Sequence, residues 1–446
     1  NMESVLKRFK SCLLMFLISI TGCVSNHAIH KKGLPCEYLN EKSCVDRYIT
    51  IERGNINDKS YEYSLSFVEL DEQGHYQSRE QINDVVEFVS QQGDNQDIVL
   101  FIHGWHHNAS NFDSNVIDFR NVLSTLSRRH ASRTITGIYV GWRGESISIP
   151  WVNSLTFWDR KNVSIDVGQG GTIELLEKLE NISDNSDYTR LVAIGHSFGG
   201  SVLFSSVKNK LYSELIELQN EREDKETDTS KEYQLSNLYI LLNPAIENIQ
   251  FAPLHDLSEE IVRNDKSAFS LDSPPRLVVL TSENDYATGV SFPLGRLFGT
   301  LFENQNSINR KDRFNNAVEY SQFDMDIKTL GHYEPFVTHE LESTTEGKLD
   351  DFCKVIPKSN FLPLELESKS DKEVKYSGEN EGWEHIFGSS YTKIKHKNRS
   401  PAYSPIWIVK VDSKIINGHN GIFEPQLNCF LEELALFNVK PLSAGK

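Results

Sequence analysis

"RLVAIGHSFGG", Arg190 to Gly200, decides how the rest of the chain is read. Leu191 to Ile194 is an apolar run of strand length. Glycine then stands two residues either side of Ser197, at Gly195 and Gly199. A plain Gly-rich turn is one reading, since Gly and Ser are common turn residues. The sharper reading is a strand that ends, a serine thrust outward and a helix that begins. There the neighbours must be small because the turn is strained. Val207, Leu211, Leu215 and Leu218 continue behind it at helical spacing. The other strand ends have to choose between the two readings.

Outward from that stretch, apolar runs alternate with helical stripes. "RYITIE" (47–52) and "YEYSLSFVEL" (61–70) read as early strands. Further strands are expected at 97–104, 134–142, 237–245, 276–285 and 405–411. Helices are expected from "NVIDFRNVLSTLSRR", from "GTIELLEKLENI", and at the end from Leu427, Phe430, Leu431 and Leu434. This alternation predicts an α/β fold, a doubly wound and mostly parallel sheet with helices on both faces. In such sheets sites form beyond the carboxyl ends of the strands. Residues 220–232 are charged and poor in apolar side chains, as in a surface loop. Residues about 290–400 form a long insertion before the last core strand. It opens with Leu294, Leu297, Phe298, Leu301 and Phe302 on one helix face, which suits either a core-packing helix or a lid.

The chain has 446 residues and a formal net charge of −17. That balance argues against a nucleic-acid partner, which needs a basic footprint. Lys7, Arg8 and Lys10 precede an apolar run, Leu13 to Ile20. Eight helical residues rise only about 12 Å, against about 30 Å for a bilayer core. Residues 1–22 therefore read as a secretory signal. Its exit, "ITGC" (20–23), resembles the bacterial lipobox, which implies lipid on Cys23, a tether over 23–45 and a lipid-anchored place in the bacterial cell envelope, periplasmic or surface-exposed. The membrane would then be a partner through that lipid. Cys36, Cys44, Cys353 and Cys429 remain. Their even number suits disulfides in an oxidising compartment, with three pairings open.

Several strand ends carry chemistry. Behind Ser197 a helix N-terminus would offer free N–H groups to an oxyanion, Phe198 first. "HGW", His103 to Trp105, ends an earlier strand, and the Trp105 N–H is the second donor expected. His103 and Gly104 would support that loop. Asp285 stands at the carboxyl edge of the 276–285 strand, with Glu283 and Asp272 as weaker acids. His419, in "NGHNGIF", follows the last strand and precedes the closing helix. Its rival, His332 in "TLGHYEPFVTH", has no strand pattern before it. His106 and His107 are adjacent, and adjacent loop histidines seldom face one ion, so no metal site is expected. Arg143, in "GWRG", suits a buried ion pair or a contact to an anionic substrate group.

Oxyanion loop, Gly-x-Ser-x-Gly, Asp and His, each at a strand end and in this order, resemble the α/β-hydrolase superfamily. "FIHGWHHNAS", "GIYVGWRGES", "LTFWDRKNV" and "GHSFGG" resemble its lipase- and esterase-like members. The resemblance covers residues 46–446 apart from the insertion. It implies a serine hydrolase that cleaves small-molecule or lipid esters through an acyl-enzyme on Ser197, with no cofactor. Asp285 would orient His419, the base. An amidase or peptidase uses the same machinery. A surface-binding lipoprotein would keep the fold without the chemistry.

Overall fold

The computed structural model describes residues 27–33, 35–37, 44, 46–56, 58–144, 157–186, 188–223, 237–266, 268–269, 275–299, 306–345 and 383–437. The chain enters with three strands, β1 (Cys36–Glu37), β2 (Ile49–Ile56) and β3 (Lys59–Glu69). Next come α1 (Arg79–Ser90), β4 (Gln96–Ile102), α2 (Ser114–Arg129), β5 (Thr134–Gly141), α3 (Phe157–Gln169) and α4 (Gly171–Asp184). The middle of the chain gives β6 (Arg190–His196), α5 (Phe198–Glu223), β7 (Asn237–Leu242), α6 (Asn248–Asn264) and β8 (Leu277–Ser282). The insertion holds α7 (Phe292–Gly299), β9 (Ser307–Lys311), β10 (Ala317–Ser321), α8 (Gln322–Ile327), β11 (His339–Ser343), β12 (Glu384–Phe387) and β13 (Thr392–His396). β14 (Ile406–Val411) and α9 (Pro425–Phe437) close the fold.

Twelve strands form one sheet in the order β1-β2-β3-β5-β4-β6-β7-β8-β14-β11-β13-β12. From β3 to β11 every neighbouring pair is parallel. Antiparallel pairing is confined to the flanks, β2 with β3 and β13 with β11 and β12. β4, β7 and β8 are buried at every residue. That requires cover on both faces and explains their unbroken apolar runs. Helices supply it. α2 buries Val116, Phe119 and Leu123, one stripe at helical spacing, against β3 and β5. Its start is fixed by Asp113, whose carboxylate accepts from the Asn115 N–H at 2.9 Å. Among the described residues no helix is long and apolar enough to cross a membrane.

Four expectations change. The insertion, expected only to precede the last core strand, adds strands to the sheet: β11 pairs with β14, and β13 and β12 extend the same sheet beyond it. α7 packs through Phe292, which is fully buried, while Leu294 is 59% exposed and Leu297 37% exposed. Two members of the expected apolar face are thus exposed where a core helix would bury them; the side chain of Phe298, and Leu301 and Phe302, lie outside the described residues. Part of the expected tether belongs to the fold. His30 is buried, stacks on Phe67 with ring centroids 3.8 Å apart, and its N–H donates to Glu69 Oε1 at 2.9 Å. β1 pairs with β2 in the same region. Helices α1, α3 and α6 were not expected. α6 contains Pro253 and buries polar residues such as His255 and Glu259, which blur its stripe.

Cys44 and Cys429 are each disulfide-bonded. Residues 1–22, Cys23, Cys353 and Asp272 lie outside the described residues. So does the 220–232 loop beyond Glu223, where α5 ends.

Candidate active site

Ser197 sits between β6 and α5 at φ 56°, a backbone shape rare for a residue with a Cβ. Three hydrogen bonds hold it there. Its N–H donates to the Leu242 carbonyl at 3.0 Å, and its own carbonyl accepts from Ser201 and Ala245. The flanking glycines are required by space. A Cβ on Gly195 would fall 2.4 Å from the Gly199 carbonyl, and one on Gly199 would fall 2.1 Å from the Ile102 carbonyl. β4, β6 and the start of α5 are that closely stacked.

The three residues expected to work together meet. Ser197 Oγ lies 2.9 Å from His419 Nε2. His419 Nδ1 lies 3.0 Å from each carboxylate oxygen of Asp285. Asp285 is at the carboxyl end of β8, its side chain fully buried. Burial alone would push its carboxyl up. Hydrogen bonds from His419 and Thr288 outweigh that and hold it below its ordinary value. The Thr288 hydroxyl and the N–H groups of Ala287 and Thr288 all donate to it. Glu283 is engaged elsewhere, accepting from the Ser413 N–H.

The loop expected to offer oxyanion donors also lies beside the serine. A Cβ on Gly104 would come 2.9 Å from Ser197 Cβ, so the loop passes directly against the serine. Among the described residues no hydrogen bond takes the backbone N–H of Trp105 or Phe198. His103 is the loop's brace. Its Nδ1 reaches the Gly104 carbonyl at 2.9 Å, Nε2 accepts from the Trp142 N–H at 3.2 Å, and its carbonyl accepts from the Trp142 indole. Burial lowers the His103 pKa to about 4, which keeps the ring neutral as this pattern demands. Beside the loop, Phe157 gathers Trp105, Phe198 and Phe292 at centroid distances of 5.2, 5.0 and 5.8 Å. The result is an apolar wall.

Arg143 is held by Glu72, at 3.0 Å, which also takes Arg160. The structure thus gives it the ion-pair partner that was one of its two readings. His107 bonds Asp113 at 2.9 Å, beside the start of α2.

Other residues escaped the sequence reading. His196 Nε2 donates to the His419 carbonyl at 2.9 Å, and Asn243 Nδ2 donates to the same oxygen at 2.9 Å. Asn284 Oδ1 accepts from the Gly418 N–H at 2.7 Å. The loop carrying His419 is therefore tied to the ends of β6, β7 and β8. Asn243 and Asn284 stand just past strand ends, the same signal that marked Asp285. His196 was visible inside "GHSFGG", but its direction was not.

Compared with protein-family models and with curated proteins, the chain gives no match.

Proposed function

We propose that this chain is a serine hydrolase of the α/β-hydrolase type that cleaves carboxylic esters. One observation carries the reading. A serine at a strained strand-to-helix turn is 2.9 Å from a histidine that is 3.0 Å from a buried aspartate. The order Ser, Asp, His along the chain is the one expected for this class.

The chemistry follows from the geometry. Ser197 Oγ attacks the ester carbonyl carbon while His419 Nε2 takes its proton. Asp285 holds the His419 Nδ1–H and stabilises the imidazolium that forms. The carbonyl oxygen becomes an oxyanion and accepts from the Trp105 and Phe198 amides. His419 returns the proton to the departing alkoxide, leaving an acyl group on Ser197. A water molecule then repeats the sequence and frees the acid. Trp105 and Phe157, the partly exposed members of the aromatic cluster beside the loop, favour an apolar acyl group, which supports an ester over a peptide with charged side chains.

The test is labelling with a fluorophosphonate probe, alongside turnover of nitrophenyl esters and anilides. Ser197→Ala should lose all labelling and nearly all ester turnover, while Tm changes little. Labelling that persists in the alanine variant defeats the proposal. Faster turnover of anilides than of esters replaces the ester reading with an amidase.

A further inference from the structure

His332, the rival base, is not beside Ser197. It lies behind the aspartate. Its Nε2 is 3.1 Å from Thr288 Oγ1, and the Thr288 hydroxyl is bonded to Asp285 Oδ2. Donor accounting settles the direction of both bonds. A hydroxyl has one hydrogen, and an ionised carboxylate can only accept. The Thr288 hydrogen therefore goes to Asp285, and the remaining contact is filled by the His332 Nε2–H. The chain runs His332 to Thr288 to Asp285 to His419 to Ser197.

The backbone holds His332 in this place. Its N–H donates to the Thr329 carbonyl at 3.0 Å, and the Thr329 hydroxyl donates to the Thr288 carbonyl at 3.0 Å. Leu330 N–H donates to the Ile246 carbonyl at 2.8 Å. Gly331, at φ 91°, lies so close to β8 that a Cβ would fall 2.1 Å from Thr281 Oγ1. A Cβ on Gly289 would meet the imidazole at 2.9 Å. The ring is packed against the very turn that carries Thr288.

We infer that His332 is a positioning residue for the Asp285–His419 pair, acting through the Thr288 hydroxyl, so that the insertion supplies part of the site. This rests on the triad proposed above. Bonds in such a chain polarise one another. With His332 donating, Thr288 is oriented and donates more strongly to Asp285. Less of the carboxylate's charge then bears on the His419 Nδ1–H. Without it the hydroxyl is released, and His419 becomes a stronger base but a more poorly held one. The charged and titratable groups around His332 are Asp285, His419 and Lys410, the last paired with Glu334 at 2.9 Å.

The experiment compares wild type with His332→Leu, His332→Asn and His332→Gln in the full chain. Gln keeps an N–H that reaches Thr288; Asn is too short to reach, and Leu donates nothing. The His419 titration midpoint is read from its ring proton by NMR, and kcat and KM from a nitrophenyl ester. Leu and Asn should raise the midpoint by about 0.3–0.5 pH unit and lower kcat about three- to tenfold with KM nearly unchanged, while Gln restores both. A midpoint unmoved in Leu and Asn, or a Gln variant that behaves like them, overturns the inference. Where Leu does not fold, the Asn and Gln pair makes the same comparison. A wild type that neither labels nor turns over defeats the proposed function instead, and the midpoints still report the link.

Discussion

At Gly199 a single hydrogen in place of a methyl group decides whether the site exists. A Cβ there meets backbone, 2.1 Å from the Ile102 carbonyl and 2.5 Å from the His103 carbonyl, and backbone cannot swing aside. Gly199→Ala should cost about 3 kcal/mol or more, the upper range for overpacking. Gly93→Ala is the control. Gly93 has φ 83° but nothing within 4 Å, so only the left-handed strain of about 1–2 kcal/mol applies. Urea unfolding of both variants measures the order, and equal losses would show that the elbow tolerates a Cβ. Ser197, Asp285 and His419 were legible in the sequence because each stands at a strand end with a distinctive neighbourhood. Thr288 and His196 were not. Their roles depend on where a side chain points after folding, and neither a hydroxyl beside "SENDY" nor an imidazole before Ser197 announces its partner.

At the scale of the element, α7 shows how a stripe can mislead. Phe292 is enclosed by the wall that includes Phe157, while Leu294 faces outward. Phe292→Ala should cost about 3–5 kcal/mol, as for other buried aromatics. Leu294→Glu should change stability by no more than about 0.5 kcal/mol, as at a surface position. Thermal unfolding distinguishes them, and a large loss from Leu294→Glu would restore the inward-facing helix. The parallel core was legible because β4, β7 and β8, buried on both faces, each carry an unbroken apolar run. β11 was not. "HELES" is short, alternates with charge, and only His339, Glu340 and Leu341 pair with β14. A strand near the end of a sheet has too little buried length to stand out. α6 hid for the opposite reason, since His255 and Glu259 are buried polar groups on its inner face.

Across the whole molecule, buried histidines set the acid limit. Burial lowers His103, His255 and His396 to about 4, and holds His196 and His339 well below the ordinary value. In the unfolded chain each titrates near 6.5. Between about pH 6.5 and 4 the unfolded chain thus binds more protons than the folded one, so stability falls as pH falls. One pKa unit corresponds to about 1.4 kcal/mol, so part of this set removes several kcal/mol from a margin of about 5–15. Below that window Asp97, Asp113 and Asp285, held low by their partners, add their own losses. Tm should therefore drop steadily from pH 7 to pH 4.5. His255→Phe, which keeps a ring against Phe336, should flatten that slope. An identical slope in the variant would remove His255 from the set.

The place of β14 has a consequence for how the protein is made. β14 pairs with both β8 and β11, yet it is synthesised after the entire insertion. While the ribosome works through that stretch, β8 has finished but its neighbour has not. A strand that the finished fold buries at every residue then stands as a bare edge, the surface most prone to pair with other chains. His419 emerges later still. The contacts that join Ser197, Asp285 and His419 therefore form only after the whole insertion has been made.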